Sequence, residues 1–390
     1  MAAAVLLGVG TYLPLTLLAP LRPVVAELEF EQPTTPPPAS YALPVNGISA
    51  FGLQDGTDLI AGQGADQSYP MASITKIVTA LVVLDKYPLA DGQPGPSVRM
   101  GRADLAFYED YYLRGAKLLH VLEGWTFTER ELLEIVLVDS AANYASSLSH
   151  WAFGSNTSYA AAARRWLDAH GLADIHVVEP VGLDERNTAT PAALVELGRI
   201  ALANPLVAEL VGTQSLPMHD IGGLSNTNEL LGSDGITGIK TGTLDDYGAS
   251  LLFSTNLSIE GGTLPLVGAV LGSWDHSLLG NEVHTLLASV QNNYHRLQLV
   301  HQNDVFGSYT TPWGDTAEVI AANGADLVVW GDQSVELKVT VDDVTTASDG
   351  DEIGEAVFTS GDETITVPLL LKGSIEDPGF WWRVGHPGQL

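Results

Sequence analysis

Hydrophobic and polar positions change period several times along the chain, and each change marks an element. The first 21 residues, MAAAVLLGVGTYLPLTLLAPL, are apolar and uncharged, and Arg22 is the first charge. At 1.5 Å rise per residue this stretch is long enough to cross a hydrocarbon layer, although Pro14 and Pro20 interrupt it. It reads as an export or anchoring segment over residues 1–25. Residues 31–46 are rich in Pro, Thr and Ser, with three prolines in a row at Pro36–Pro38, a composition that favours extended polyproline backbone. A Pro-rich linker is therefore expected over 26–46, with folded chain from about Gly47.

Beyond that point the pattern is mixed. Residues 47–53 and 58–62 flank Asp55-Gly56 and predict a strand hairpin. Residues 73–84 (SITKIVTALVVL) are apolar nearly all round, as in a helix buried in a core rather than lying on a surface. Leu132, Leu133, Val136 and Leu137 recur at helical spacing, with Thr126 and Thr128 as entry caps, so one helix is expected over 129–150. Further helices are expected at 157–170, 191–203 and 276–300, and a strand meander at 236–243, 249–258 and 263–272. A strand pair at the start meeting three strands at the end, with helices between, is an α+β arrangement: an antiparallel sheet covered by helices. From residue 303 short β-branched runs separated by Gly, Asp and Asn predict a separate all-β domain to residue 390, leaving 47–302 as the larger domain.

Charge and composition narrow the chemistry. Seventeen Lys and Arg face 47 Asp and Glu, a net charge of −30, which repels phosphate backbones and argues against nucleic-acid partners. Cysteine is absent, which removes disulfides, thiolate zinc sites and a Cys nucleophile. The ten histidines form no His-x-x-x-His pair, so neither a metal nor a cofactor is expected. The acidity is uneven: from Asp304 onward sixteen acidic residues stand against three basic ones.

Lysine is scarce, at six residues, and two of the six fall in short chemical patterns. Ser73-Ile74-Thr75-Lys76 places a hydroxyl and an amine one helical turn apart on one face. A serine hydroxyl needs a base beside it to act as a nucleophile. A lysine in an apolar helix becomes such a base when burial lowers its pKa. Lys240-Thr241-Gly242-Thr243 lies in a predicted strand, where a glycine lets the backbone approach a ligand closely and the Lys and Thr groups suit a carboxylate.

Ser-x-x-Lys followed by Lys-Thr-Gly, with MASITKIVTAL, NTNELL and GITGIKTG around them, resembles the low-molecular-mass penicillin-binding proteins, serine-type D-alanyl-D-alanine carboxypeptidases. The resemblance covers about residues 45–300 and implies a β-lactamase/transpeptidase-like sheet with helices. It also implies an acyl-enzyme on Ser73, Lys76 as its base, Ser140 as a proton relay, and Lys240, Thr241, Gly242 and Thr243 binding the substrate carboxylate. The backbone N–H groups of Ser73 and Thr243 would form the oxyanion hole. The implied partners are peptidoglycan stem peptides as substrate and β-lactams as covalent inhibitors, in an extracytoplasmic envelope location, with membrane contact through the N-terminal segment.

One element departs from the pattern. The middle motif of that family is Ser-x-Asn, and here it reads Ser140-Ala141-Ala142, with the asparagine one place later at Asn143. On a continuous helix one residue is a rotation of about 100°, so Asn143 serves as the substrate-binding amide only if the backbone re-registers. The sequence is thus compatible with a working carboxypeptidase, a slowed one, or a wall-binding protein with a retired site. A DD-endopeptidase or β-lactamase-like hydrolase on the same scaffold is also compatible, although Glu179-Pro180 and Glu185-Arg186 fit loop signals better than a deacylation motif.

Overall fold

The computed structural model describes residues 12–90 and 92–390. The first eleven residues of the expected export segment lie outside the described residues. No described helix is long and apolar enough to cross a membrane.

The chain divides into two units, Ser40–Asn292 and a second built from residues up to Ala39 together with Asn293–Leu390. The larger unit holds a five-stranded antiparallel sheet of β1 (Ile48–Leu53), β2 (Ala61–Gln63), β3 (Ile236–Leu244), β4 (Gly248–Ile259) and β5 (Gly262–Ser273), in the order β3-β4-β5-β1-β2. One register row runs Lys240–Leu252–Ala269–Ala50 across four of its strands. The chain ends of this unit therefore meet side by side in the sheet, as the two separated strand blocks predict.

Helix α1 (Thr75–Lys86) is buried from Thr75 to Leu84, which explains why its sequence carries no polar face. Ala50, Leu252, Val267 and Ala269 of the sheet share one core with Ile77, Val78 and Leu81 of α1. Helix α3 (Pro191–Ala203) starts with a Thr190 cap and Pro191 in its first turn. It lies against the sheet through Gly198, where a Cβ would meet Val267 Cγ1 at 2.6 Å. Helix α4 (His276–Gln291) follows β5, capped by Asp275, whose side chain accepts from Leu278 N at 2.8 Å.

Two expected helices differ. The helix over 129–150 is interrupted: a first segment Glu129–Glu134, entered by a Thr128/Glu131 capping box, widens into a π turn at Ile135–Asp139. Ser140 then takes a left-handed conformation (φ 69°), and helix α2 (Ala142–Phe153) begins anew. The apolar residues on both sides are buried, so hydrophobic spacing runs through the break and conceals it. The helix from 276 stops at Gln291, and Tyr294–Val300 is a strand paired with Ala325–Trp330. Arg296 and Gln298 are exposed while Leu297, Leu299 and Val300 turn inward, a period of two that the longer helical pattern masked.

The smaller unit contains a six-stranded antiparallel sheet around Phe306, Tyr309, Val319, Phe358 and Leu369. Its first strand is Glu27–Leu28, paired with Gly307 and Ser308. Gln32 closes both hydrogen bonds of a peptide with Leu337, accepting from Leu337 N and donating to Leu337 O at 3.1 Å each. The segment expected as a linker from residue 26 thus begins as an edge strand, and the division falls at 292/293 rather than 302/303. Near the end, Gly379–Gly385 is a short helix whose Trp382 packs on Trp313 with ring centroids 5.4 Å apart, while Trp381 is exposed.

Candidate active site

The site is assembled where the start of α1 meets β3. Before α1 the chain makes a 3-10 turn, Ala72–Ile74, entered with Ala72 at φ 48° and Met71 N bonded to Asn187 O at 2.9 Å. This turn presents Ser73 half-buried at the head of the helix, while Lys76, one turn on, is 1% exposed. Lys76 Nζ lies 2.7 Å from Ser73 Oγ and 2.9 Å from Val181 O. Burial pulls the Lys76 pKa from the usual 10.5 to about 7; Glu179 opposes the shift and the charge of Lys117 adds to it. Near neutral pH the amine therefore exists substantially unprotonated, the form a general base requires.

Strand β3 passes directly over this turn. A Cβ on Gly242 would lie 2.8 Å from Ala72 Cβ, 3.0 Å from Met71 O and 3.1 Å from Ser73 N, so the missing side chain permits the close approach. Lys240 is 1% exposed, with Nζ 3.3 Å from both Thr227 Oγ1 and Thr241 O. Burial, then the charges of Lys76 and Lys117, hold its pKa well below the ordinary value. The Thr227 and Thr241 hydroxyls are 2.5 Å apart. Thr243 is exposed, its hydroxyl 2.7 Å from Nε2 of His276 in the first turn of α4. Burial lowers the His276 pKa, against the nearby Glu229 and with Lys240.

A cleft of about 990 Å³ runs along this seam, lined by Ser73, Lys76, Ser140, Thr241, Gly242 and Thr243 among others. Of the eight site residues expected from sequence, these six line it, and buried Lys240 lies beneath it, hydrogen-bonded to Thr227 and Thr241. Asn143 is not among them. Its amide faces the other way and clamps the backbone of residue 119, accepting from Leu119 N at 3.2 Å and donating to Leu119 O at 2.9 Å. The break at Ser140 makes the 100° argument inapplicable, because Ser140 and Asn143 do not share a helix. Ala142 lines the cleft where the motif amide is missing. Asn143→Ala is therefore expected to cost roughly 1–3 kcal/mol of stability by leaving two half-buried backbone groups without their partner. Thermal melts of the variant against wild type check this.

Several residues of the site carry no motif. Glu179 accepts from the N–H groups of Val181 (2.7 Å), Gly182 (2.6 Å), Leu183 (2.9 Å) and Asp184 (3.3 Å), and from Asn187 Nδ2 (2.7 Å). This carboxylate folds a tight loop over Lys76, and its acceptor positions are occupied, so it is not placed as a deacylation base. Glu185 is likewise engaged, by the Tyr247 hydroxyl. Lys117 and His276 complete the cleft wall. The sequence signal for the loop was Glu179-Pro180, which fits a turn or loop.

A serine whose hydroxyl faces a buried lysine, beneath a Lys-Thr-Gly strand on an antiparallel sheet, defines the penicillin-binding, transpeptidase-like serine enzymes. Solved structures share the fold: penicillin binding protein 5 from Haemophilus influenzae superposes with a TM-score of 0.58 at 16% identity over 87% of this chain and 99% of that one. The Streptomyces K15 DD-transpeptidase gives a TM-score of 0.55 at 20% identity over 67% of this chain and 98% of its own. In sequence, a D-alanyl-D-alanine endopeptidase of Pseudomonas aeruginosa is 28% identical over 62% of this chain and 78% of its own length. The D-alanyl-D-alanine carboxypeptidase DacD of Salmonella typhimurium is 26% identical over 73% of each. The family model described as D-alanyl-D-alanine carboxypeptidase, peptidase S11, matches residues 54–273, and the chain belongs to that family. It is a serine-type D-Ala-D-Ala carboxypeptidase, a penicillin-binding hydrolase of peptidoglycan.

Proposed function

We propose that hydrolysis proceeds through an acyl-enzyme on Ser73 with Lys76 as its base. The observation that carries this is the 2.7 Å contact between Lys76 Nζ and Ser73 Oγ, made by an amine whose pKa burial lowers to about 7. Neutral Lys76 takes the Ser73 hydroxyl proton as Oγ attacks the carbonyl between the two D-alanines. The developing oxyanion is received by the N–H groups of Ser73 and Thr243, held close by the Gly242 approach. The C–N bond then breaks, and the departing D-alanine amine takes a proton relayed from Lys76 through Ser140. Water attacks the ester, Lys76 again accepts a proton, and Ser73 is released.

The terminal carboxylate of the stem peptide fits the Lys240, Thr241 and Thr243 side of the cleft, where Lys240 backs the Thr227 and Thr241 hydroxyls. We assign the enzyme to the extracytoplasmic face of the envelope, where its peptidoglycan substrate lies, with the apolar N-terminal segment as its contact with the membrane.

The test is D-alanine release from a pentapeptide mimic by wild type and Ser73→Ala. Release by wild type and none by Ser73→Ala is expected. Equal release by both removes Ser73 from the mechanism. Cleavage confined to cross-linked D-Ala-containing dimers would instead make the enzyme an endopeptidase.

A further inference from the structure

Ala142 leaves a gap in the cleft wall where the sequence pattern calls for an amide, and a second side chain stands next to that gap. Ala142 N donates to Lys117 O at 2.8 Å, so the backbones of the two residues are in direct contact. The segment from Lys117 to His120 is fastened along the start of α2 by three more hydrogen bonds: Asn143 grips Leu119 N and O, and the Tyr144 hydroxyl donates to His120 O at 2.9 Å. The stem of Lys117 therefore rises from a fixed platform beside residue 142. Its side chain lines the same cleft as Ser73, Lys76 and Ser140 and is about half exposed, so a ligand can reach it. Lys117 Nζ is steadied 3.4 Å from Asp139 Oδ2. Asp139 is 6% exposed, its other oxygen has no hydrogen-bond partner, and its charge acts on Lys240 as well.

We propose that Lys117 performs the work of the missing Ser-x-Asn amide: its ammonium, held by Asp139 beside Ala142, donates to the peptide carbonyl of the bound stem peptide. This rests on the acyl-transfer reading of Ser73 and deepens it. An alanine at 142 and a lysine at 117 then form one unit, the small residue making room for the longer donor. A charged donor to a carbonyl is at least as strong as a neutral amide, so the exchange preserves substrate alignment. It has a second consequence. Lys76 faces Glu179, Lys117 and Lys240, and the charge of Lys117 helps keep Lys76 unprotonated. An asparagine at 142 would supply the hydrogen bond without that electrostatic effect.

Five proteins test this: wild type, Lys117→Met, Lys117→Arg, Ala142→Asn and the Lys117→Met/Ala142→Asn double variant, each assayed for its second-order rate of acylation by a fluorescent penicillin. Lys117→Met should acylate about 30- to 100-fold more slowly, in the range of losing one preorganised donor. Its acid limb should move to higher pH, because Lys76 has lost a neighbouring positive charge; a purely structural lesion would not move it. Ala142→Asn alone should acylate no faster than wild type, because the added amide takes room that Lys117 uses, and the double variant should recover to within about fivefold of wild type. Lys117→Arg, which keeps the charge and the stem, should retain most of the rate and covers the case in which Lys117→Met fails to fold. Acylation of Lys117→Met within twofold of wild type, or a double variant as slow as Lys117→Met, overturns the assignment. A wild type that takes up no penicillin overturns the acyl-transfer reading and this assignment together, whereas a labelled wild type beside an unimpaired Lys117→Met overturns the assignment alone.

Discussion

Lys76→Met is expected to abolish most acylation while making the protein more stable. Loss of the general base should lower the penicillin acylation rate by about 10²–10⁴-fold. The stability gain follows from the same burial that makes the lysine a base. In the unfolded chain Lys76 holds its proton up to the usual 10.5, whereas in the folded protein it releases it from about 7 upward. Between those values folding expels a proton, so the Lys76 contribution to stability rises with pH and is most unfavourable at and below pH 7. Methionine fills a similar volume without a charge to desolvate. The Tm of Lys76→Met should therefore exceed that of wild type at pH 7 by several degrees, at roughly 2–4 °C per kcal/mol for a domain of this size, with the difference shrinking towards pH 10. A variant that is inactive but no more stable at pH 7 would mean that the lysine is charged in the folded protein, and the base assignment would fail with it.

The second large effect is expected at Gly182. Its φ of 91° lies in the region disfavoured for side chains, and a Cβ there would sit 1.9 Å from Ala72 O and 2.4 Å from Ala72 C. Both are backbone atoms of the turn that presents Ser73, so no rotamer change relieves the overlap. Gly182→Ala should lose about 3–5 kcal/mol. Where it remains folded, the loop carrying Val181 O must lift from Lys76, and acylation should slow as well. Thermal melts and labelling at low temperature measure the two parts; a Tm within 2 °C of wild type would show that the loop does not press on the nucleophile turn as described.

Much of this site was legible in the sequence because its chemistry is local. Ser73 and Lys76 sit one turn apart, and the Lys240–Thr243 strand needs a glycine at 242 for a reason the close contact with Ala72 makes plain. The strand pair and the strand meander at the two ends of the larger unit were likewise readable, from runs bounded by turn residues. What was hidden depends on contacts distant in sequence. The apolar spacing of 129–150 continues through the left-handed break at Ser140, because residues on both sides pack into one core. That break decides the fate of Asn143, which holds Leu119 instead of substrate. Lys117 carries no motif at all; it matters only because its backbone touches Ala142, 25 positions further along. Glu179 looked like a turn residue and is one, but the turn it makes closes the pocket that shifts Lys76.

Ser73, activated by a neutral Lys76, is the proposed nucleophile. Peptide mapping by mass spectrometry after exposure to benzylpenicillin tests it most directly. One penicilloyl group on the peptide containing Ser73 is predicted, forming with an acid limb near pH 7 and missing from Ser73→Ala. An adduct on any other residue, or an unmodified protein across that pH range, would contradict the account.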